Sequence, residues 1–229
     1  MLTAIIVAAG SGVRAGFDKL FALLDGQPVV AHAVAAFQKC ESVSEIIVVG
    51  RADQVGALQE LLGGVSDKIT HVIAGGARRQ DSVFAGLQHL GAAAEFVAVH
   101  DAARPLVTPA IIERVYAAAR QYGAASAAAP VVDTLKRADA ENFVAGSLDR
   151  AGLFAMQTPQ IFERRRLETA YTATMADGVE ITDEVSAIER SGGRVRLVPA
   201  EDFNFKITYR KDLELAELAL RSRRLSTPR

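Results

Sequence analysis

The chain has 229 residues, of which 50% are hydrophobic and 23% are charged, and its formal net charge is −1. This composition predicts one globular α/β domain with a sizeable core, and a charge this small gives no general field for holding nucleic acid. The single cysteine excludes an intrachain disulfide framework and fits a reducing cytosol. No basic signal-peptide segment precedes the first strand, and no apolar run reaches the ~18 residues of a membrane span. We therefore expect a cytoplasmic protein with no membrane contact.

Short apolar segments alternate with helical patterns along the first 130 residues. The predicted strands are Thr3–Ala8, Glu45–Val49, Thr70–Ile73, Phe96–His100 and Ala124–Ala129. The predicted helices are Pro28–Cys40, Ala52–Leu62, Gln80–Leu90 and Pro109–Tyr122. Apolar strands separated by helices of this length are typical of βαβ units on a mostly parallel sheet. We expect a Rossmann-like three-layer sandwich.

The alternation stops after Pro130, and residues 133–152 are predicted to leave the sandwich as a protruding β-arm. The remaining predicted elements are helices from Glu163, Asp183 and Arg210 and strands near Arg194–Val198 and Phe205–Thr208. We treat residues 1–229 as one domain. The arm carries Phe143, Val144 and Leu148, which a lone two-stranded hairpin cannot bury. A second copy of the arm is the simplest cover, so we expect a homodimer.

In a fold of this class, ligands bind beyond the carboxyl ends of the strands. The loops at those ends collect cations with some carboxylates and hydroxyls. They contain Arg14, Lys19, Arg78, Arg79, Arg104, Lys136 and Arg137, together with Asp81, Asp101, Asp133, Ser82 and Thr134. Cations, backbone amides and a carboxylate meeting at one edge are the groups that bind a polyphosphate with its divalent metal.

The individual motifs leave their roles open. "GSGVRAG" lacks the G-K-[ST] ending of a Walker loop, and its glycines are spaced wrongly by one for a dinucleotide fingerprint. A plain turn and a solvated lysine would explain this loop equally well. Asp101 can be a magnesium ligand or a turn aspartate, and His100 is predicted to be a packed strand-end residue rather than a base. Arg79 can equally be a surface arginine.

An ordered set of strings is more specific than any one motif. The strings are "VAAGSGVR", "AGGARRQDSVFAGL", "VAVHDAARPLV", "APVVDTLKR", "LDRAGLFAMQTPQIF", "ITDEVSAIE" and "NFKIT". Together they resemble the 2-C-methyl-D-erythritol 4-phosphate cytidylyltransferases of the non-mevalonate isoprenoid pathway, over essentially the whole chain. The resemblance implies transfer of a cytidylyl group from CTP to methylerythritol phosphate, release of pyrophosphate, and a requirement for Mg²⁺.

The resemblance also implies roles for individual residues. Arg14 and Lys19 would stabilise the transition state, while Arg150 and Lys206 would align the attacking phosphate. The implied nucleotide-binding residues are Ala8, Ala9, Gly10, Gly12, Gly76, Asp81, Ser82 and Ala102. The implied substrate-binding residues are Asp101, Thr134, Arg150, Thr158 and Lys206. Asp101 would also bind the metal, with Asp202 or Asn204 as a second ligand. Arms of this family clasp the neighbouring subunit, so Thr134 and Arg150 would serve the partner's site.

Other activities remain open at this point. Ribitol-5-phosphate cytidylyltransferases share the fold, the nucleotide and the metal, although "HDAAR" favours the erythritol enzyme. "DAARP" and "TPQ" argue against a sugar-1-phosphate nucleotidyltransferase. A non-catalytic nucleotide-binding regulator would have little reason to keep Lys19, Asp101, Arg150 and Lys206 together.

The loop around Lys19 departs from the family pattern. Members usually have Pro-Lys-Gln where this chain has Asp18-Lys19-Leu20. Loss of the proline removes a fixed φ just before the lysine, and Asp18 adds a negative charge beside it. The sequence therefore predicts a less pre-organised lysine, which Asp18→Pro would tighten.

Overall fold

The computed structural model describes residues 1–10, 16–200 and 203–226, apart from the side chain of Ser226. The strands are β1 (Leu2–Ala8), β2 (Leu23–Leu24), β3 (Gln27–Pro28), β4 (Val43–Gly50), β5 (Ile69–Ala74), β6 (Phe96–Asp101), β7 (Ala124–Pro130), β8 (Leu135–Ala138), β9 (Val144–Leu148), β10 (Phe154–Glu163) and β11 (Arg196–Pro199). The helices are α1 (Val29–Gln38), α2 (Val55–Leu62), α3 (Arg79–Leu87), α4 (Pro109–Tyr122), α5 (Arg164–Ala176), α6 (Glu184–Arg190) and α7 (Lys211–Ser226). A 3₁₀ turn, Ala52–Gln54, precedes α2.

Seven strands form the central sheet in the order β11-β7-β10-β6-β1-β4-β5. β1 pairs in parallel with β4 and β6, β4 with β5, and β7 with β11. β10 is antiparallel to both of its neighbours, β6 and β7. The mostly parallel sheet predicted from the alternating pattern is thus confirmed, with one reversed strand inserted between β6 and β7.

Helices cover both faces of this sheet. Side chains of α1, α2 and α4 pack in one apolar cluster, and those of α3, α5 and α6 pack in another. β1 joins the two clusters because its residues are all buried and alternate between the faces: Ile6 contributes to the first and Ile5 to the second. This two-sided burial explains why β1 has a nearly uninterrupted apolar sequence. The three-layer sandwich is confirmed.

Local sequence signals set several element ends. The Thr108 hydroxyl accepts a hydrogen bond from the Ile111 N–H at 3.4 Å, Pro109 occupies the first turn of α4, and Gly123 ends the helix with φ +81°. Asp25 and Gly26, both with positive φ, form the two-residue turn between β2 and β3. These signals lie within short stretches of chain and are therefore readable from sequence.

The second half of the chain corrects two expectations. β10 was not predicted, because Gln157, Pro159 and Gln160 give it a polar, loop-like sequence. Residues 205–208 are not a strand; this segment is irregular, and its Ile207 N–H donates to the Ala103 carbonyl at 2.8 Å. Lys206 therefore lies beside the end of β6 and not inside a sheet.

The predicted arm is a hairpin. Among the described strands, β8 and β9 pair with each other and with no other strand, as an antiparallel two-stranded sheet. Phe143 and Val144 are 70% and 69% exposed, so the arm presents apolar side chains that the described part of this chain does not cover. Across the described ranges, no helix has the length and apolar character needed to cross a membrane.

Candidate active site at the carboxyl edge of the sheet

Strand register brings the predicted nucleotide loops to one edge. Val7 of β1 lies opposite Asp101 of β6, Ala8 lies opposite Gly50 of β4, and Gly50 lies opposite Ala74 of β5. Adjacent strands are about 4.8 Å apart. The loops that follow Ala8, Ala74 and Asp101 therefore begin side by side, as the parallel arrangement predicts.

The glycine loop after β1 is described only in part. Ala8 is buried, Ala9 is half-buried and Gly10 is exposed. A Cβ added at Gly10 would meet no described atom within 4 Å, so the space above this residue is open among the described residues. Gly12 and Arg14 lie outside the described residues, so their predicted roles remain predictions.

Two predicted binding residues at the start of α3, Asp81 and Ser82, stabilise the loop between β5 and α3. Ser82 is buried, and its hydroxyl accepts a hydrogen bond from the Gly76 N–H at 3.2 Å. The Asp81 carboxylate accepts from the Arg78 N–H at 3.0 Å and so caps α3. A Cβ at Gly75 would overlap Ser82 and approach Ala9 Cβ to 2.9 Å, so this loop packs directly against the end of β1. Ser82 therefore has a structural role in this loop, and that role is compatible with the predicted nucleotide contact.

Asp101 lies at the end of β6 between two cations. Its Oδ1 accepts from Arg79 Nε at 3.0 Å, and its Oδ2 accepts from Lys206 Nζ at 2.7 Å. Burial alone would raise the pKa of Asp101, but Arg79 and Lys206 together hold that pKa well below its usual range. The carboxylate is therefore ionised at neutral pH and able to bind cations.

Arg79 is not a surface arginine. Its guanidinium donates to both oxygens of Glu184, at 2.7 and 3.0 Å, and Glu184 has no exposed surface. Glu184 also accepts from the Tyr171 hydroxyl at 2.7 Å. Burial opposes ionisation of Arg79, but Glu184 and Asp101 raise its pKa well above the ordinary value. Glu184 is not among the predicted site residues, because its signal in the sequence is no more than an acidic residue in the first turn of a predicted helix.

Thr158 joins Asp101 to His100. The Thr158 hydroxyl oxygen lies 3.1 Å from the Asp101 backbone nitrogen and 3.0 Å from His100 Nδ1. His100 Nε2 lies 3.2 Å from the Arg104 carbonyl, which can only accept, so the ring proton is on Nε2 and Thr158 donates to Nδ1. Burial lowers the pKa of His100 to about 3, so the ring is neutral. The structure places this histidine, as expected, in a packed position at the end of its strand.

Arg104 and Asn204 complete the cluster. Arg104 donates to the Asn204 carbonyl at 2.8 Å and to the Met156 carbonyl at 3.3 Å. The Asn204 side chain donates to the Thr158 carbonyl at 2.9 Å. Within the described part of the chain, Arg104 Nε and Asn204 Oδ1 are buried without a hydrogen-bond partner. A donor and an acceptor are thus left for a ligand or water.

The remaining predicted site residues lie apart from this cluster or in turns. Lys19 is half-buried and lies in a turn directly before the buried Leu20. Thr134 and Arg150 are exposed on the arm, where Arg150 donates to the Val132 carbonyl. No described contact joins either arm residue to Asp101 within the same chain. They remain predicted contributors to a partner's site.

The groups around Asp101 fit a magnesium ion that takes part of its ligands from the protein and the rest from phosphate groups and water. Mg²⁺ usually binds through one or two carboxylates together with phosphates and water. Asp101 offers a carboxylate, and Asn204 offers its unpartnered Oδ1 within the described ranges. Asp202 lies outside the described residues. Across those ranges, no group of three His, Cys, Asp or Glu residues could hold a metal through protein ligands alone.

Comparisons of the sequence with known families and with relatives agree on one family. The model of the family described as 2-C-methyl-D-erythritol 4-phosphate cytidylyltransferase matches residues 2–222. A protein with that name from Symbiobacterium thermophilum is 42% identical over 221 residues, which are 96% of this chain and 92% of the relative. A bifunctional enzyme IspD/IspF from Desulfotalea psychrophila is 41% identical over 222 residues, which are 96% of this chain and 57% of the relative.

Solved structures agree with the sequence comparisons. The 4-diphosphocytidyl-2C-methyl-D-erythritol synthase of Anaerococcus prevotii superimposes with a TM-score of 0.85 at 28% identity, covering 96% of both chains. The 2-C-methyl-D-erythritol 4-phosphate cytidylyltransferase of Thermus thermophilus gives 0.77 at 31% identity, covering 96% of this chain and 100% of the other. The likeness therefore extends through both the sandwich and the segments that carry the site.

Proposed function

The chain belongs to the 2-C-methyl-D-erythritol 4-phosphate cytidylyltransferase family, and from that membership we propose that it transfers a cytidylyl group from CTP to methylerythritol phosphate. The products are 4-diphosphocytidyl-2-C-methyl-D-erythritol and pyrophosphate. The reaction is a step in isoprenoid biosynthesis. The observation that carries the proposal is the Asp101–Lys206 pair, a carboxylate and a cation 2.7 Å apart at the strand edge where the glycine loop begins.

The reaction asks the protein for fixed positive charge and alignment. A phosphate oxygen of the acceptor attacks the α-phosphorus of CTP, and pyrophosphate leaves. The acceptor phosphate is already ionised at neutral pH, so no general base is needed. This agrees with a buried, neutral His100 whose pKa is lowered to about 3 by burial. Lys206, with a 34% exposed side chain, is suited to hold the attacking phosphate.

Arg14 and Lys19 are proposed to stabilise the charge that grows on the α-phosphoryl and bridging oxygens. A guanidinium can donate to two phosphate oxygens, whereas an ammonium acts as a compact charge. Backbone N–H groups near Gly10 and Gly12 would reach the same phosphates. Among the described residues, nothing lies within 4 Å of a Cβ built at Gly10, which supports that approach.

Magnesium is the proposed cofactor, with Asp101 as its protein ligand and Asn204 or Asp202 as a second. When bound, it would neutralise charge on the phosphate oxygens. The protein's own part is to keep the Asp101 carboxylate ionised, which Arg79 and Lys206 do by lowering its pKa against the effect of burial.

The arm is proposed to build a two-fold dimer with shared sites, from one domain spanning residues 1–229. Its exposed Phe143 and Val144 need cover, and a second arm supplies an identical apolar surface. Thr134 and Arg150 would then act in the partner's site while Arg14, Lys19 and Asp101 act in their own. A cytosolic location is part of the same proposal, since the single cysteine, Cys40, is free and fits a reducing compartment.

The decisive experiment follows pyrophosphate release with CTP, Mg²⁺ and one polyol phosphate at a time. Turnover with 2-C-methyl-D-erythritol 4-phosphate and little with ribitol 5-phosphate is expected. The reverse preference would reassign the acceptor, and inactivity with both would contradict the proposed reaction.

A further inference from the structure

Asp18 replaces the usual proline before Lys19, and both oxygens of its side chain are engaged. Its Oδ1 accepts a hydrogen bond from the Leu20 N–H at 3.3 Å, across Lys19. Its Oδ2 accepts from Gln54 Nε2 at 2.5 Å. Asp18 therefore both closes a local turn around Lys19 and joins that turn to the segment after β4.

Both neighbours of Lys19 are also held through their backbones. The Asp18 carbonyl accepts from the Ala22 N–H at 3.1 Å, and the Leu20 carbonyl accepts from the Val30 N–H at 3.1 Å. Leu20 is only 3% exposed, so this side of the turn is anchored in the core. On the Asp18 side, the Gln54 contact links the turn to another element.

Gln54 is itself fixed relative to the site edge. It ends the 3₁₀ turn Ala52–Gln54, and its N–H donates to the Arg51 carbonyl at 2.9 Å. This turn follows β4, whose last residue, Gly50, pairs with Ala8 at the start of the glycine loop. A bond from Asp18 to Gln54 thus relates the Lys19 turn to the same strand ends that carry the candidate site.

We propose that Asp18 and Gln54 form a positioning pair that sets the Lys19 ammonium for catalysis, replacing the fixed φ of the family's proline with two side-chain hydrogen bonds. The inference rests on the proposed function of Lys19. It also reverses the sequence expectation for Asp18→Pro, which would remove both hydrogen bonds. A displacement of about 1 Å at a catalytic group can cost on the order of 10²-fold in rate.

A set of variants at the two positions tests the pair. Gln54→Glu opposes two carboxylates and should lower kcat by about 10- to 100-fold, since Lys19 is displaced. The swapped double variant, Asp18→Asn with Gln54→Glu, reverses the hydrogen bond at unchanged net charge and should restore kcat to within a few-fold. The truncated double variant, Asp18→Ala with Gln54→Glu, removes the repulsion without restoring the bond and should remain slow. Gln59→Glu, an exposed glutamine on α2, is the matched control and should leave kcat unchanged.

Amide hydrogen exchange at Leu20 gives a readout that does not need activity. Protection should fall in Gln54→Glu and return in the swapped double variant, because the Leu20 N–H donates to the side chain at position 18. Equal kcat in the swapped and truncated double variants would overturn the positioning role. Inactivity of the wild-type chain with both polyol phosphates, with the exchange pattern intact, would contradict the proposed reaction and leave the pairing supported.

Discussion

Arg79 Nε lies 3.0 Å from Asp101 Oδ1, and the same guanidinium donates two hydrogen bonds to the fully buried Glu184. Arg79 is thus committed to two protein carboxylates. Lys206, the other cation on Asp101, has a more exposed side chain, 34% against 24% for Arg79. The two cations that contact Asp101 therefore differ: Arg79 holds the carboxylate in place, and Lys206 is the more accessible to an incoming phosphate.

Glu184→Gln should destabilise the fold strongly. It removes the charge of one of the two buried carboxylates that pair with the Arg79 guanidinium and leaves Asp101 as the other, and removing one partner of a buried ion pair typically costs about 3–5 kcal/mol. Tyr171→Phe removes only one hydrogen bond to Glu184 and should cost about 1 kcal/mol. Urea denaturation of both variants measures the difference. Equal losses of unfolding free energy would mean that Glu184 is not acting as the counter-ion.

Asp101→Asn should raise the Mg²⁺ concentration needed for half-maximal rate, because it keeps the size of the side chain and removes its charge. It should also lower the maximal rate, since the contacts to Arg79 and Lys206 become weaker. Asp177→Asn, at an exposed aspartate paired with Arg190, is the control. An Asp101→Asn titration that overlays the control would contradict the proposal that Asp101 binds the metal.

Stability should fall with acid partly through His100. Burial lowers the pKa of this histidine from 6.5 to about 3, so between these values the unfolded chain binds a proton that the native chain does not. Linkage then requires a loss of about 1.4 kcal/mol of stability per pH unit as pH falls through that window. His100→Gln should lose stability less steeply between about pH 6 and about pH 4. Identical slopes would show that His100 does not remain neutral.

Sequence reasoning succeeded where a local pattern carries the structural information. β1 and most of β4 are buried on both faces, so each is a largely continuous apolar run, and the loops after such strands meet at one edge by geometry alone. β10 could not be predicted, because its polar residues form hydrogen bonds with residues far along the chain. Gln160, for example, donates to Asp183 and accepts from the Glu184 N–H.

In the candidate site, too, local features could be predicted from the sequence and distant contacts could not. Asp101 could be placed from its position at the end of a predicted strand. The burial of Arg79 could not, because its partner Glu184 is 105 residues away in the sequence. The engagement of Asp18 was equally hidden, since Gln54 reaches it from a different loop, 36 residues along the chain.

Lys19→Ala and Arg14→Ala should each lower turnover by about 10²–10³-fold, the usual loss when one transition-state donor is removed. The fold should survive in Lys19→Ala, since the backbone bonds on both sides of the turn remain. Circular dichroism and steady-state kinetics check the two parts. Near wild-type turnover in either variant would contradict its assignment.

Mixing two inactive variants tests whether sites are shared between subunits. Lys19→Ala and Arg150→Ala should each be nearly inactive as homodimers. If Arg150 serves the partner's site, a mixed dimer has one site with both substitutions and one with neither. Random exchange makes about half of the dimers mixed, so roughly a quarter of all sites are intact. Activity should rise on mixing to about a quarter of the wild-type value.

The mixing experiment also requires a measurement of how many mixed dimers have formed. Differently tagged variants, co-purified after mixing, measure the fraction of mixed dimers directly. Arg150 is exposed on the arm and has no described contact with Asp101 in its own chain, so the gain in activity should follow that fraction linearly. A mixture that stays as inactive as its parents despite exchange would mean that Arg150 acts within its own chain.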